Sequence, residues 1–336
     1  MSVRFVKSSV ASFGAAPADE SGALRLIELC GRTAYKSEDK ITEDSAKKFV
    51  LMLKSHGHLS VLEHSNAVLK IEKDPAVPAG AQGAPISFER MLEALGQRVS
   101  YHRLYRLGSG EGFLMAGNFR AWLDTLDSLK PYGRLRDLLL ASLGGFFPAI
   151  FPVGDGAVRE TFRDCRASLV GAEEQLELLK SGLSLDLPVF VFKFVCDRGI
   201  THEVVRHRVL SFTQESTRYV NYGNRGMILI LPEELYGCFD EQTGELSTGR
   251  YPLADAWQKR AETLFDWYGQ DLDRGLRPEI ARDILPNLLK SELFISGRWS
   301  GWKHFITLRD SSQAHPRIRF IAQEVRRYFE GFGLTC

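Results

Sequence analysis

The sequence predicts an α+β protein rather than a doubly wound α/β one, on three observations. Strand-like and helix-like segments alternate irregularly, one long stretch between two strands reads as mostly helical, and a run of β-branched and aromatic residues marks a buried strand late in the chain. A regular βα repeat would be needed for a parallel sheet covered on both faces, and it is missing.

Taken in order, "SGALRLIELCGRTAYKS" places Leu24, Leu26, Ile27, Leu29 and Cys30 at helical spacings. "TEDSAKKFVLMLKSHGH" reads as a second amphipathic helix, with Thr42 as the expected N-cap and Gly57 as its stop. "AVLKIE" is a strand. Residues 73–85 turn sharply to Pro, Gly and Ala and mark a linker or the opening of an insertion. From there to about Leu187 the pattern is mainly helical: "FERMLEALGQRV", "RAWLDTLDSL", "YGRLRDLLLASL" and "AEEQLELLKSG", interrupted by "FFPAIFPV". "VFVFKFVC", Val189 to Cys196, is the buried strand, and "RGITHEVVRHR" passes from a Gly turn into a short helix. "MILIL", stopped by Pro232, is a further strand. The long helix after it buries Ala254, Trp257, Ala261, Leu264, Phe265, Tyr268 and Leu272 and stops at Gly275; Pro278 opens the next. Three parts follow: residues 1–72, a mainly helical insertion at 73–186 with a partial internal repeat as one option, and residues 187–336.

Composition narrows the function. The chain has 336 residues, 44% hydrophobic and 25% charged, which is the balance of a globular protein with room for one large domain or two ordinary ones. A net charge of +1 argues against a general nucleic-acid binder. The N-terminal stretch lacks the apolar run of a signal peptide and no segment approaches the roughly 18 apolar residues of a membrane span, so a cytoplasmic protein without a membrane partner is expected. The five cysteines are scattered and read as free thiols. His56 with His58, His202 with His207 and His304 with His315 lack the spacing and companion carboxylates of a metal site, so no metal is expected. "GSGEG" at Gly108 to Gly112 lacks the strand and third glycine of a phosphate loop and reads as a turn.

The chemistry concentrates in "RHRVLSFTQESTRY", Arg206 to Tyr219. Arg206, Arg208 and Arg218 offer guanidinium forks suited to phosphate or carboxylate, and Ser216 adds a hydroxyl, so the stretch reads as an anion site. Thr213, Gln214 and Tyr219 can orient a polar ring such as a pyrimidine or a flavin. Ser216 has no adjacent general base and is read as a binding residue rather than a nucleophile.

"CDRGITHEVVRHRVLSFTQESTRYVNY" resembles the signature of the flavin-dependent thymidylate synthases, the ThyX family. Its R-H-R-x-x-S-x-N-E-x-S-x-R-Y pattern is matched at Arg206, His207, Arg208, Ser211, Ser216, Arg218 and Tyr219, while Thr213 and Gln214 stand where the pattern has Asn and Glu. "HLSVLEH" resembles the family's H-x-S-x-x-E-H element, "EIARDILP" its E-x-A-R-x-x-L-P and "HFITLR" its H-F-x-x-L-R. The resemblance covers residues 24–72 and 187–336 and implies an antiparallel or mixed sheet with helices. It also implies a reaction: dUMP and methylenetetrahydrofolate give dTMP, with FAD carrying hydride from NADPH. The family roles carried onto this chain give Arg309 as the catalytic donor beside the uracil, Glu203, Gln214, Ser216, Arg218 and Arg282 on the dUMP side, and His58, Ser60, Glu63, Arg206, His207 and Arg208 at the flavin. A homotetramer is implied, with a dimer open because the insertion can supply in one chain what a neighbour otherwise would. Cys196, beside Arg198, is the best candidate for a classical cysteine nucleophile but reads as a core thiol.

One element departs from the pattern. Where the family has T-A-N-L-R-E-W, this chain has "ISGRWSGW", with Arg298 for the Asn and Ser300 for the Arg. "LMAGNFRAW" inside the insertion, laid on "FISGRWSGW", keeps Gly and Trp in register and restores both missing types as Asn118 and Arg120, which are therefore expected at the flavin or folate pocket. Two alternatives stand beside the enzyme: a noncatalytic nucleotide-binding paralogue that has lost flavin chemistry, and an RNA-binding module, which near-neutral charge disfavours.

Overall fold

The computed structural model describes residues 3–73, 102–107, 112–130, 133–153, 165–181, 184–218, 220–247, 249 and 251–336. The expected helix "FERMLEALGQRV", the linker at 73–85 beyond Lys73, most of "GSGEG" and Tyr219 lie outside them. The first half runs β1 (Val3–Val6), β2 (Ser9–Ala15), α1 (Glu20–Tyr35), α2 (Ser45–Ser55), a 3-10 turn (Leu59–His64), β3 (Asn66–Lys73), β4 (Arg103–Arg106), β5 (Gly112–Asn118), α3 (Phe119–Ser128), α4 (Gly133–Phe146), β6 (Cys165–Leu169) and α5 (Ala172–Lys180). Then follow β7 (Val189–Asp197), α6 (Arg198–Val204), β8 (Ser211–Gln214), α7 (Tyr222–Arg225), β9 (Met227–Ile230), β10 (Phe239–Asp240), β11 (Glu245–Leu246), α8 (Pro252–Asp273), α9 (Pro278–Ala281), β12 (Lys290–Arg298), α10 (Trp299–Arg309) and α11 (Pro316–Gly331).

Helix ends follow local chemistry. Asp19 caps α1 by accepting from the Gly22 amide at 2.8 Å, and Lys36 closes it in the left-handed region at φ 49°. α2 starts at Ser45, three residues after the expected cap Thr42: the Ser45 hydroxyl accepts from the Thr42 amide at 2.9 Å, so Thr42 belongs to the turn before the helix. Pro252 and Pro278 open α8 and α9 at the position where a missing N–H costs nothing.

The strands form an α+β architecture with two four-stranded antiparallel sheets, ordered β2-β7-β12-β8 and β4-β5-β3-β6, beside a parallel β1-β9 pair and the β10-β11 hairpin. Among the described residues of the insertion, α3, α4 and α5 supply most of the regular structure, and β4, β5 and β6, strands the sequence reading did not anticipate, build the second sheet on β3. "RLYR" and "FLMAGN" escape sequence reading because the first carries charges at both ends and the second lacks β-branched residues, while both faces of β5 are buried and show no alternation.

One core packs α1, α2, α3 and α4 between the sheets, with Phe119, Trp122, Phe147 and Phe294 fully buried. A second, aromatic-rich core joins β7 and β12 to α10 and α11 through Phe190, Phe192, Phe194, Trp302 and Phe329. Each such ring contributes on the order of 1.5–3 kcal/mol by leaving water. The sheets thereby become rigid mounts for the side chains at their ends.

Candidate active site

The antiparallel register of β12 against β7 and β8 brings the end of β12, the start of β8 and the first turn of α10 together. β4 and β5 supply the opposite wall through Arg103 and Asn118. Between them lies a cavity of about 500 Å³ whose wall includes Glu63, Arg103, Asn118, Arg208, Ser211 and His304.

Glu63, on the turn before β3, ties the two sides. Its Oε1 accepts from Arg120 Nη1 at 2.7 Å, and its Oε2 accepts from the Ser211 hydroxyl at 2.8 Å. Its carbonyl accepts from Ser296 Oγ at 3.4 Å. Asn118 caps α3, its Oδ1 accepting from the Ala121 amide at 2.8 Å. Arg298 occupies the N-cap position of α10 without capping it; its guanidinium turns back to the carbonyls of Asp186, at 3.1 Å, and Leu187. Burial lowers the Arg298 pKa to about 10, with Arg103 adding to the shift and Asp186 opposing it. Ser300 presents its amide to Asp186 Oδ2 at 3.3 Å.

A second cluster stands at the C-terminal end of α10. Arg309 Nε donates to His207 Nε2 at 2.9 Å, Nη1 to Glu203 Oε2 at 2.8 Å and Nη2 to the Glu203 carbonyl at 3.1 Å. Burial, with the charges of Arg309 and His304, lowers the His207 pKa to about 4, so the ring is neutral at physiological pH. It lies edge-on to Phe305 at 5.0 Å and His304 at 5.8 Å, and His304 also lines the cavity, so the two clusters adjoin.

The remaining expected residues spread along the segment that follows. Gln214 Nε2 donates to Thr201 Oγ1 at 3.1 Å and Ser291 Oγ at 3.0 Å. Ser216 accepts from the Arg218 amide at 3.4 Å, and Arg282 Nη1 donates to Thr217 Oγ1 at 3.0 Å, which brings Arg282 to the same short stretch. His58 pairs with the Tyr35 hydroxyl at 2.9 Å and is exposed, as is Ser60; neither they nor Arg206 line the cavity. Behind Ser216, Glu215 and Glu292 are held by Lys36, Lys193 and Lys290, with Lys290 Nζ at 2.9 Å from Glu215. Burial raises the Glu292 pKa, but the lysines outweigh it and hold the carboxyl well below its usual range.

Cys196 is fully buried and desolvation raises its pKa, which suits a core thiol rather than a nucleophile. No described helix is long and apolar enough to cross a membrane. Sequence reading missed Arg103, Asp186, Ser296 and His304 as members of this site. His304 carried a usable signal in "HFITLR"; Arg103 and Asp186 lie in the insertion, where only the folded sheet shows them meeting the signature.

The fold and the two clusters define an α+β protein with a cationic cavity at a strand-to-helix junction. Residues 179–332 match the family model described as "Thymidylate synthase complementing protein". The chain is 33% identical over 129 residues to the flavin-dependent thymidylate synthase of Pyrococcus abyssi, covering 38% of this chain and 48% of that protein. It is 34% identical over 136 residues to that of Corynebacterium glutamicum, covering 39% and 52%. The chain thus spans about half the length of the curated relatives it matches. Among solved structures it matches a UMP/dUMP methylase, PolB from Streptomyces cacaoi bound with 5-Br dUMP, with a TM-score of 0.36, 23% identity, and coverage of 47% of this chain and 74% of that one. The resemblance read from the signature is borne out over the C-terminal part of the chain.

Proposed function

We propose that this protein is a flavin-dependent thymidylate synthase that converts dUMP to dTMP, with methylenetetrahydrofolate as carbon donor, FAD as cofactor and NADPH as reductant. The observation that carries the reading is Arg309: its guanidinium is fixed by Glu203 and His207 beside the cationic cavity, within the part of the chain that matches the family. N–H donors remain on Nη1 and Nη2 for a carbonyl that gains negative charge.

The donor set fits a phosphate-rich cofactor, since guanidinium groups and hydroxyls make up most of the polar part of the wall and Glu63, its one carboxylate among the described residues, is engaged by Arg120 and Ser211. FAD, when bound, supplies the hydride chemistry. In this reading Arg208, Asn118, Arg120 and Glu63 hold it, with His58, Ser60, Arg206 and His207 at its margins. Ser216, Arg218 and Arg282 bind the nucleotide phosphate, and Gln214 with Glu203 orients the base. A homo-oligomer completes the reading, as a tetramer or, with the insertion standing in for a neighbour, a dimer.

A second reading is favoured by one feature. The Arg298 guanidinium is spent on the carbonyls of Asp186 and Leu187, which suits a nucleotide-binding paralogue without flavin chemistry. A visible spectrum with FAD, titrated with dUMP and followed by an assay for dTMP, separates the two. A flavin spectrum that shifts on adding dUMP, with dTMP formed, supports the enzyme; dUMP binding without flavin retention supports the paralogue.

A further inference from the structure

The two antiparallel sheets share one plan, residue for residue, at their junctions. In the first, β5 runs through Gly117 into α3; Gly117 faces Ala67 on β3, and Trp122 Nε1 donates to the Ala67 carbonyl at 3.1 Å. In the second, β12 runs through Gly297 into α10; Gly297 faces Phe190 on β7, and Trp302 Nε1 donates to the Phe190 carbonyl at 3.2 Å. The outer strands repeat as well. Ala116, just before the first glycine, faces Arg103 on β4, and Ser296, just before the second, faces Ser211 on β8. A carboxylate three residues before the paired strand also recurs: Glu63 holds Arg120 of α3, and Asp186 holds the Ser300 amide of α10.

The equivalence turns one residue of the insertion into a site residue. Ser211 belongs to the signature, and Arg103 is its counterpart in the other sheet. Both line the same cavity, together with Arg208 and Arg298. Neither Arg103 nor Arg208 has an ion-pair partner among the described residues, whereas Glu63 is already engaged by Arg120. Arg103 also stands close enough to Arg298 for its charge to lower the pKa of that group. Like charges gathered around a cavity disfavour the empty state and favour an anion with several charged oxygens.

We infer that the cavity is a composite site built from both repeats, in which Arg103 is a binding residue for the pyrophosphate of a dinucleotide. The flavin-dependent reading enters only in naming FAD as one probe. Inorganic pyrophosphate tests the anion chemistry alone, and NADPH offers the same group on another nucleotide.

The experiment is calorimetric titration of the full chain with pyrophosphate, FAD and NADPH, on the wild type, Arg103→Glu, Arg103→Ala and the control Arg106→Glu. Arg106 is exposed on the same strand and does not line the cavity. A thermal melt confirms that each variant folds. Expected is a loss of about tenfold or more in pyrophosphate affinity for both Arg103 variants, with the same loss for whichever dinucleotide binds, and little change for Arg106→Glu. Wild-type affinity retained by folded Arg103→Glu, or no pyrophosphate or dinucleotide binding by the wild type, overturns the inference. Binding of pyrophosphate that depends on Arg103, without FAD binding, supports the site and counts against the flavin reading instead.

Discussion

His207 accepts a hydrogen bond from the Arg309 guanidinium, a role open only to a ring whose Nε2 carries a lone pair, so the proton of the neutral ring sits on Nδ1. With its pKa lowered to about 4, the acceptor persists across the neutral range and is lost as the pH falls through that value. Replacing the acceptor tests the arrangement. In the proposed reaction, His207→Leu is expected to lower kcat for dTMP formation by roughly 10- to 100-fold, and His207→Gln, whose amide oxygen can accept, should keep most of it. Steady-state kinetics at saturating dUMP with flavin content measured alongside decides it; equal losses in both variants would tie the ring to the flavin itself. The chemical type of each signature residue was legible from sequence, because forks and hydroxyls at fixed spacing have few other uses. The holding of Arg309 by Glu203 and His207 was not, since the sequence placed those two with dUMP and with the flavin. Only the packing of α10 against α6 and the segment that follows it joins them.

At the scale of elements, the strand-to-helix junctions depend on glycine for space. A Cβ on Gly117 would stand 2.5 Å from the His102 ring, itself edge-on to Trp122 at 4.7 Å, and one on Gly297 would stand 2.2 Å from Leu210 Cδ2. Gly117→Ala and Gly297→Ala are expected to cost about 1–3 kcal/mol each, with Gly117 the worse because an imidazole packed on an indole yields less than a leucine tip. Urea unfolding monitored by circular dichroism measures both. The likeness of "LMAGNFRAW" to "FISGRWSGW" could be read in the sequence because Gly and Trp keep their spacing. The sheet around the first could not, since β4 and β6 are short edge strands and β6 pairs with β3, far away in the chain.

For the whole molecule, three buried neutral histidines set a common response to acid. His64, bonded to Thr213 at 2.8 Å, and His102 have pKa values lowered by burial to about 3, and His207 to about 4, against an ordinary 6.5. The unfolded chain therefore takes up protons first. Stability is complete above about pH 6.5 and declines as the pH drops through the window toward 3 to 4, by at most about 1.4 kcal/mol per pH unit for each ring. Urea midpoints should fall between pH 7.5 and 5.5, and His64→Leu should flatten that slope. The α+β class and most helices were legible at this scale, because long periodic segments are locally determined, whereas the pairing of β2 with β7 was not. That pairing bears on solubility. β7 is the most continuously apolar strand of its sheet, a "VFVFKFV" run with the composition of self-associating segments, and on one side only β2 occupies its hydrogen-bonding edge. β2 is mostly exposed and carries a bulge between Ser12 and Gly14, features that make it a poor template for a further strand. Seven modest residues thus act as a guard against fibre-like assembly. A chain trimmed of Ser9–Ala15 should precipitate in a concentration-dependent way, visible as light scattering, while the full chain stays in solution.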